Sequence, residues 1–400
     1  MITVKNEEST LAVDWSDGAT SRFHSVWLRD NCRCEACGEP SIGRRTLRLS
    51  GIDLEVTISA AEALQDGDSE IVRIRWSDDH RGEFDGAWLR DNAYDTESRR
   101  KRAYRPELWT DQLREHPPSA DYDEVMENDS AFCDFLETIH RHGLCFVEGS
   151  PAEPGTGANL ARKIGFLQES NYGLVQDLIA DRRHRSIGND FHALKPHTDE
   201  PYRASPPGIM LFHCVETDEN GLGASTFMDG FEIAETLRAD DPEGFDALAR
   251  YNQGFRRHFD GDIDLICEFP VISVDEFGHV CGVRINDRVA SPACIDPESV
   301  PVYYRGMKRF LQLAEDDGRM IQKVLRPGDI AAFDNHRILH GRTELRFQGR
   351  RWLQWMQVER GDFYSTLRIL SDRLGRHRNT LPLLRGAYGS SDCRKEEAEA

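Results

Sequence analysis

From Asp129 onward, the apolar residues Phe132, Phe135, Leu136 and Ile139 recur at the spacing of a single helix face. Asp129 and Ser130 stand where a cap is expected and Gly143 where a helix should stop, so the pattern predicts a helix ending at His142. Directly behind it, Leu144-Cys145-Phe146-Val147 is apolar without interruption and reads as a buried strand. Ile330-Ala331-Ala332-Phe333 reads the same way after the turn signal Arg326-Pro327-Gly328-Asp329. The amino-terminal part is patterned differently, in short β-like runs: Leu47-Arg48-Leu49, Leu54-Glu55-Val56-Thr57-Ile58 and Ile71-Val72-Arg73-Ile74-Arg75-Trp76. A polar stretch containing Pro117-Pro118 parts the two regions. This predicts a β-rich domain over residues 1–105, a larger domain over 106–388 and a small, charged, mobile tail over 389–400. The pentapeptide Trp27-Leu28-Arg29-Asp30-Asn31 recurs as Trp88-Leu89-Arg90-Asp91-Asn92, and two equivalent strand ends or coincidence both account for it.

Composition narrows the partners. A 400-residue chain with 39% hydrophobic residues can build a large core and a smaller one, and 30% charged residues give a polar surface. Fifty basic against seventy acidic residues leave a net charge of −20, which argues against a nucleic-acid partner held through phosphates. No apolar stretch approaches the ~18 residues that span a bilayer, and the first residues lack the apolar core of a signal peptide. A cytoplasmic location without membrane contact is the expectation.

Ten cysteines in such a chain point to thiols or metal ligands rather than a disulfide framework. Cys133, Cys145, Cys214, Cys267, Cys281 and Cys294 are scattered and read as small core hydrophobes, and Cys393 falls in the tail. Cys32, Cys34 and Cys37 differ, because C-x-C-x-x-C lets three thiolates reach one tetrahedral ion. His80 is the candidate fourth ligand. Four protein ligands leave no open position, so a zinc ion there would be structural; reduced surface thiols are the alternative.

A second metal signal lies in Lys195-Pro196-His197-Thr198-Asp199-Glu200. If this stretch is extended, His197 and Asp199 project from the same strand face. With His340, in Ile338-Leu339-His340-Gly341-Arg342, they compose the two-histidine, one-carboxylate set that binds Fe(II) and leaves positions open for a cosubstrate and oxygen. H-x-D alone is common, and its surroundings give it weight. Arg351, past the next turn, is expected to return on a neighbouring strand, and carries a planar donor fork suited to a carboxylate. His213 sits in an apolar run and reads as a core imidazole, while His336 lacks the helical context that an H-x3-H pair would need.

These segments, with Pro201-Tyr202-Arg203, Leu211-Phe212-His213-Cys214, Phe333-Asp334-Asn335 and Leu367-Arg368-Ile369-Leu370, resemble the Fe(II)/2-oxoglutarate dioxygenases of the γ-butyrobetaine hydroxylase type, within the taurine dioxygenase superfamily. The resemblance runs from about Trp27 to Leu370. It implies a mainly β fold with flanking helices: a double-stranded β-helix, or jelly roll, plus a small zinc-binding amino-terminal domain. It implies iron on His197, Asp199 and His340, 2-oxoglutarate on Arg351 and Ser225, O2 as oxidant, and zinc on Cys32, Cys34, Cys37 and His80. A homodimer is a further carry-over.

The substrate implied is a small trimethylammonium zwitterion. Quaternary ammonium is attracted to π faces, and Tyr172, Tyr202 and Phe191 are the candidate rings, each equally readable as a core aromatic. Two positions depart from the family's animal members, where Glu200 and Gln357 are tyrosines. Arg288 stands where an asparagine contacts the substrate carboxylate, and a guanidinium suits a phosphonate; a surface ion pair is the bland reading of the same residue. Asn189 adds a hydrogen bond. The favoured substrate is 2-(trimethylammonio)ethylphosphonate, hydroxylated beside phosphorus; γ-butyrobetaine is the runner-up, and an inactive jelly-roll binding protein is the alternative of another class.

Overall fold

The computed structural model describes residues 2–39, 44–67, 69–103, 106–180, 192–217, 223–259, 263–344 and 351–376. Asn189, Phe191, Cys393 and the predicted tail lie outside the described residues. Two compact units divide between Tyr104 and Arg105.

The first unit holds two three-stranded antiparallel sheets, β1 (Thr3–Asn6), β2 (Thr10–Asp14), β3 (Thr20–His24) and β4 (Ile58–Asp66), β5 (Ser69–Trp76), β6 (Arg81–Asp85). A short helix follows each: α1 (Ser25–Asp30) and α2 (Gly86–Asp91), the second followed by α3 (Thr96–Arg102). β3 and β6 alternate buried and exposed residues, so Phe23 and Phe84 enter the core while their neighbours face water. Leu28, Leu89, Val72, Ile74 and Trp76 complete that core. The strands expected at Leu47–Leu49 and Leu54–Ile58 do not form. Asp53 turns the chain there by accepting the Glu55 N–H, Leu54 is left 67% exposed, and only Ile58 enters β4.

In the second unit the predicted helix forms as α4 (Asp129–His142), capped one residue earlier than expected: the Asn128 side chain accepts from the Ser130 and Ala131 N–H groups. Gly143 ends it at φ +77°, and a Cβ there would lie 2.8 Å from Ile338. The longer helices beyond it are α5 (Thr156–Ile164), α6 (Gly230–Asp240), α7 (Pro242–Arg250) and α8 (Val300–Ala314), and α9 (Arg360–Arg373) packs on α4.

Besides a small hairpin, Ile272–Val274 with Val280–Val283, the strands are β7 (Ser119–Asp121), β8 (Leu144–Glu148), β9 (Gln176–Ala180), β10 (Leu194–His197), β11 (Ile209–Glu216), β12 (Ser225–Asp229), β13 (Asn252–Phe259), β14 (Ile263–Pro270), β15 (Ile321–Lys323), β16 (Ile330–Asp334), β17 (Ile338–Arg342) and β18 (Arg351–Val358). They build a six-stranded sheet, β9-β18-β11-β16-β8-β7, a four-stranded sheet, β10-β17-β12-β15, and the hairpin β13-β14. The apolar runs read as buried strands are β8 and β16, paired antiparallel. Both sheets give their inner faces to one core, with Phe227 edge-on to Phe146 and Phe333 at 5.5 and 5.6 Å between ring centroids. This two-sheet sandwich is the jelly-roll core. Of the scattered cysteines, Cys133, Cys145 and Cys214 are buried as expected, whereas Cys294 is exposed.

Candidate active site and metal cluster

His197 is the last residue of β10 and lies opposite His340 in the register of β17. Their rings are 4.5 Å apart. The His197 Nδ1 lies 2.8 Å from the Lys195 carbonyl, which fixes the ring and aims Nε2 at Asp199. The carboxylate does not arrive on the strand face, as an extended Pro196–Glu200 would require. β10 stops at His197; the Thr198 N–H turns to the Ile285 carbonyl and the Asp199 N–H to Asn335 Oδ1 at 2.7 Å. Asn335 Nδ2 donates in return to the carbonyls of Asp199 and Pro207, and the next residue, Glu200, sits at φ +50°. Through this bend Asp199 Oδ1 comes 3.3 Å from His197 Nε2 and Oδ2 3.4 Å from His340 Nε2.

Burial pushes the Asp199 pKa up, but the two imidazoles outweigh it and hold the carboxyl well below its usual range. His197 is shifted down, by burial first and then by His340. An ionised carboxylate beside a neutral imidazole is the donor state a divalent cation requires. All three ligand atoms lie within 4.8 Å of one another, so the residues fit a facially bound iron.

Arg351 opens β18, in the sheet that faces β17 rather than on a strand beside it. Its Nη2 lies 3.4 Å from the Ser225 hydroxyl at the start of β12. Burial lowers its pKa to about 10, still a cation at neutral pH, and among the described residues no carboxylate pairs with it. A buried guanidinium without a counter-ion is costly, and a dicarboxylic acid reaching in from the metal would supply the missing charge.

The triad, Ser225 and Arg351 line a cavity of about 410 Å³, together with Tyr172, Tyr202 and Arg288. Tyr172 Oη lies 3.4 Å from Tyr202 Oη, and burial raises both phenol pKa values. The cavity also takes residues that sequence reasoning passed over. Phe259 stands edge-on to Tyr172 at 5.6 Å, and Trp355 closes the same corner at 6.1 Å. Arg257, on the same face of β13 as Phe259, carries its guanidinium 5.0 Å from that ring. The i, i+2 spacing in Arg257-His258-Phe259 was legible, but nothing in it singles out a pocket. Glu200 is 5% exposed; Arg203 binds its Oε2, and among the described residues Oε1 has no hydrogen-bond partner. Gln357, the other departure, is buried outside the cavity lining. His213 is a core imidazole bonded to the Pro151 carbonyl, as read from the sequence.

In the amino-terminal unit, His80 Nε2 lies 3.3, 3.5 and 3.4 Å from the sulfurs of Cys32, Cys34 and Cys37. A tetrahedral zinc with ordinary bond lengths sets its S···N edges at about 3.6 Å, so the four atoms fit one ion. Burial pushes the Cys32 thiol up to about 12, and Cys37 up as well; crowding by the neighbouring thiols adds to this, and the Arg29 guanidinium, 3.5 Å from Cys37 Sγ, offsets it only in part.

The family model for taurine catabolism dioxygenase TauD, TfdA family, matches residues 110–357, and that for gamma-butyrobetaine hydroxylase-like, N-terminal, matches residues 2–90. The chain is 33% identical to gamma-butyrobetaine dioxygenase of Pseudomonas sp. (strain AK-1), over 90% of this chain and 94% of that one. It is 30% identical to gamma-butyrobetaine dioxygenase of Homo sapiens, over 90% and 94%. It is 28% identical to trimethyllysine dioxygenase of Meyerozyma guilliermondii, over 93% and 96%. With an iron-type triad, a buried arginine lining the same cavity and a family match over most of its length, the chain belongs to the TauD/TfdA family as a γ-butyrobetaine hydroxylase-type Fe(II)/2-oxoglutarate dioxygenase.

Proposed function

We propose that this enzyme hydroxylates a small zwitterion with a trimethylammonium group at one end and a phosphonate at the other, 2-(trimethylammonio)ethylphosphonate, at the carbon next to phosphorus. A trimethylammonium substrate is also what its relatives' names imply, since γ-butyrobetaine and trimethyllysine both carry that group. The observation that carries the choice of head group is a pair of arginines. Arg257 and Arg288 both line the cavity, and among the described residues neither has a carboxylate at ion-pair distance. Burial first, and then Arg257, disfavour the charged form of Arg288, a cost that a doubly charged anion would offset. Asn286 steadies Arg288 by accepting from its Nε at 3.4 Å.

In this reading His197, Asp199 and His340 hold iron, and Arg351 with Ser225 holds the far carboxylate of 2-oxoglutarate. When bound, iron with 2-oxoglutarate and O2 converts one C–H to C–OH while the cosubstrate becomes succinate and CO2. The chain's own task is placement. Tyr172, Tyr202 and Phe259 present rings to the methylated nitrogen, and Glu200 Oε1 adds negative charge beside them. With the cation held there and the anion on the arginines, the intervening carbons are presented to the triad. In the amino-terminal unit the Cys3His cluster holds a structural zinc.

Gamma-butyrobetaine is the second reading, favoured by the 33% identical relative of that name. Succinate release with each compound in turn separates the two. Faster turnover of the phosphonate, lost in Arg288→Ala, is expected. Preference for γ-butyrobetaine, or full phosphonate activity in Arg288→Ala, would overturn the head-group assignment. Absence of turnover with either compound, in protein that binds iron and 2-oxoglutarate, would reject both.

A further inference from the structure

The recurring Trp-Leu-Arg-Asp-Asn is the visible end of a longer match. Val13–Asn31 and Ile74–Asn92 align without a gap at a constant offset of 61 residues, Trp88 against Trp27, and nine of the nineteen pairs are identical. Structure repeats with sequence: each stretch runs from the second strand of a three-stranded sheet through a tight turn and the third strand into a one-turn helix. The turns match bond for bond. Trp15 N–H donates to the Ala19 carbonyl as Trp76 N–H does to His80, and Gly18 N–H donates to Trp15 as Asp79 N–H does to Trp76. Gly18 and Asp79 share the left-handed conformation, at φ +84° and +64°. At the helix ends, Asn31 and Asn92 each donate from the side chain to the carbonyl of their own tryptophan at 2.9 Å.

Contacts between the two stretches are reciprocal. Asp78 of the second binds Arg29 of the first at 2.8 Å, and Asp17 of the first binds Arg90 of the second at 2.7 Å. Arg29 lies over Trp76, Arg90 lies over Trp15, and Trp27 packs on Trp88 at 5.6 Å. Residue i touching j′ while i′ touches j is the signature of a two-fold relation.

The Cys3His cluster breaks this symmetry. Shifted by the same offset, Cys32, Cys34, Cys37 and His80 fall on Ala93, Asp95, Ser98 and Ala19. There, Asp95 caps α3, accepting from Ser98 N–H at 2.9 Å and from Ser98 Oγ at 2.7 Å. A fifth position changes in step. Gly82 clears room for the thiol, since a Cβ on it would lie 2.6 Å from Cys32 Sγ; its counterpart is Ser21, whose Oγ donates to Asp95 at 3.4 Å and accepts from Trp15 Nε1 at 3.0 Å. We infer that the amino-terminal unit is a duplicated strand–strand–strand–helix module with two equivalent metal positions. One keeps three thiols and an imidazole, and the other has exchanged its ligands for the Ser21–Asp95–Ser98 hydrogen-bond network. In the metal-bearing position the first copy supplies the thiols and the second the imidazole, so the ion clamps one copy to the other.

If the second position retains the geometry, restoring its ligands should restore its metal. In the full-length chain, Ala19→His, Ser21→Gly, Ala93→Cys, Asp95→Cys and Ser98→Cys together are expected to double zinc per chain. Cobalt substitution should then double the thiolate-to-cobalt absorbance. A second variant leaves Asp95 in place, keeping the α3 cap and using its carboxylate as the fourth ligand; should the first fail to fold, it is expected to double zinc per chain as well, with a smaller gain in thiolate-to-cobalt absorbance from its two added thiols. Metal content no higher than that of the parent chain in both variants would overturn the inference.

Discussion

Arg351 shows how one side chain states a requirement for a ligand. It is 8% exposed, its hydroxyl neighbour is uncharged, and a guanidinium in that setting is stabilised chiefly by an anion that it grips with two hydrogen bonds. Arg351→Ala is therefore expected to raise KM for 2-oxoglutarate by ~10–100-fold, the worth of a charge-assisted pair. Succinate formation against cosubstrate concentration measures this, and an unchanged KM would remove Arg351 from the site. A buried pair of the opposite kind lies nearby. Arg337 and Asp229 are fully buried, doubly bonded to each other, and Arg337 also donates to the carbonyls of Arg141 and Glu107. Removing one partner strands a charge, so Asp229→Asn should cost about 3–5 kcal/mol in denaturant unfolding of the second unit. A loss below about 1 kcal/mol would show the pair to be replaceable. Nothing in the sequence singles out this arginine or pairs it with an aspartate 108 positions away.

Among the elements, the bend after β10 matters more than the strand before it. A straight strand would have placed Asp199 beside its own neighbours. The pull of Asn335 instead delivers the carboxylate to two imidazoles on different strands. Asn335→Ala should leave the sheets intact while loosening Asp199, weakening metal affinity by ~10–100-fold, the usual effect of losing a residue that orients a ligand. Titration with Mn(II) as an oxygen-stable substitute reads this directly, and unaltered affinity would show that the bend holds without Asn335. Helix α4, β8 and β16 were legible because a long 3.6-residue period and continuous apolar runs are local signals. The segments around Leu47 and Leu54 misled because short apolar runs carry no register. Whether Leu54 is buried depends on a facing surface, which the Asp53 turn denies it.

At the scale of the whole molecule, two compact units each carry one metal-type cluster, so their responses to metal removal should be separable. Cys34→Ser is expected to lose zinc and to destabilise the first unit by several kcal/mol, because binding energy at a structural site is folding energy. Hydrogen exchange should show lost protection in β1 to β6 with β11, β16 and β18 unchanged; equal loss in both units would refute separability. For this protein the sequence alone put the chemistry on offer: two candidate ligand sets, His197-Asp199-His340 and Cys32-Cys34-Cys37-His80, an arginine suited to a carboxylate, and the blocks that resemble the family. Spacing and residue type supplied the candidates, and the resemblance gave them their expected roles. Only the tertiary structure decided that Asp199 arrives by a bend, that Arg351 reaches across from the opposite sheet, that Arg257 and Phe259 join the cavity, and that the two Trp-Leu-Arg-Asp-Asn segments face each other. Each of these is a contact between residues far apart in the chain, set by packing and strand order rather than by any neighbour in sequence.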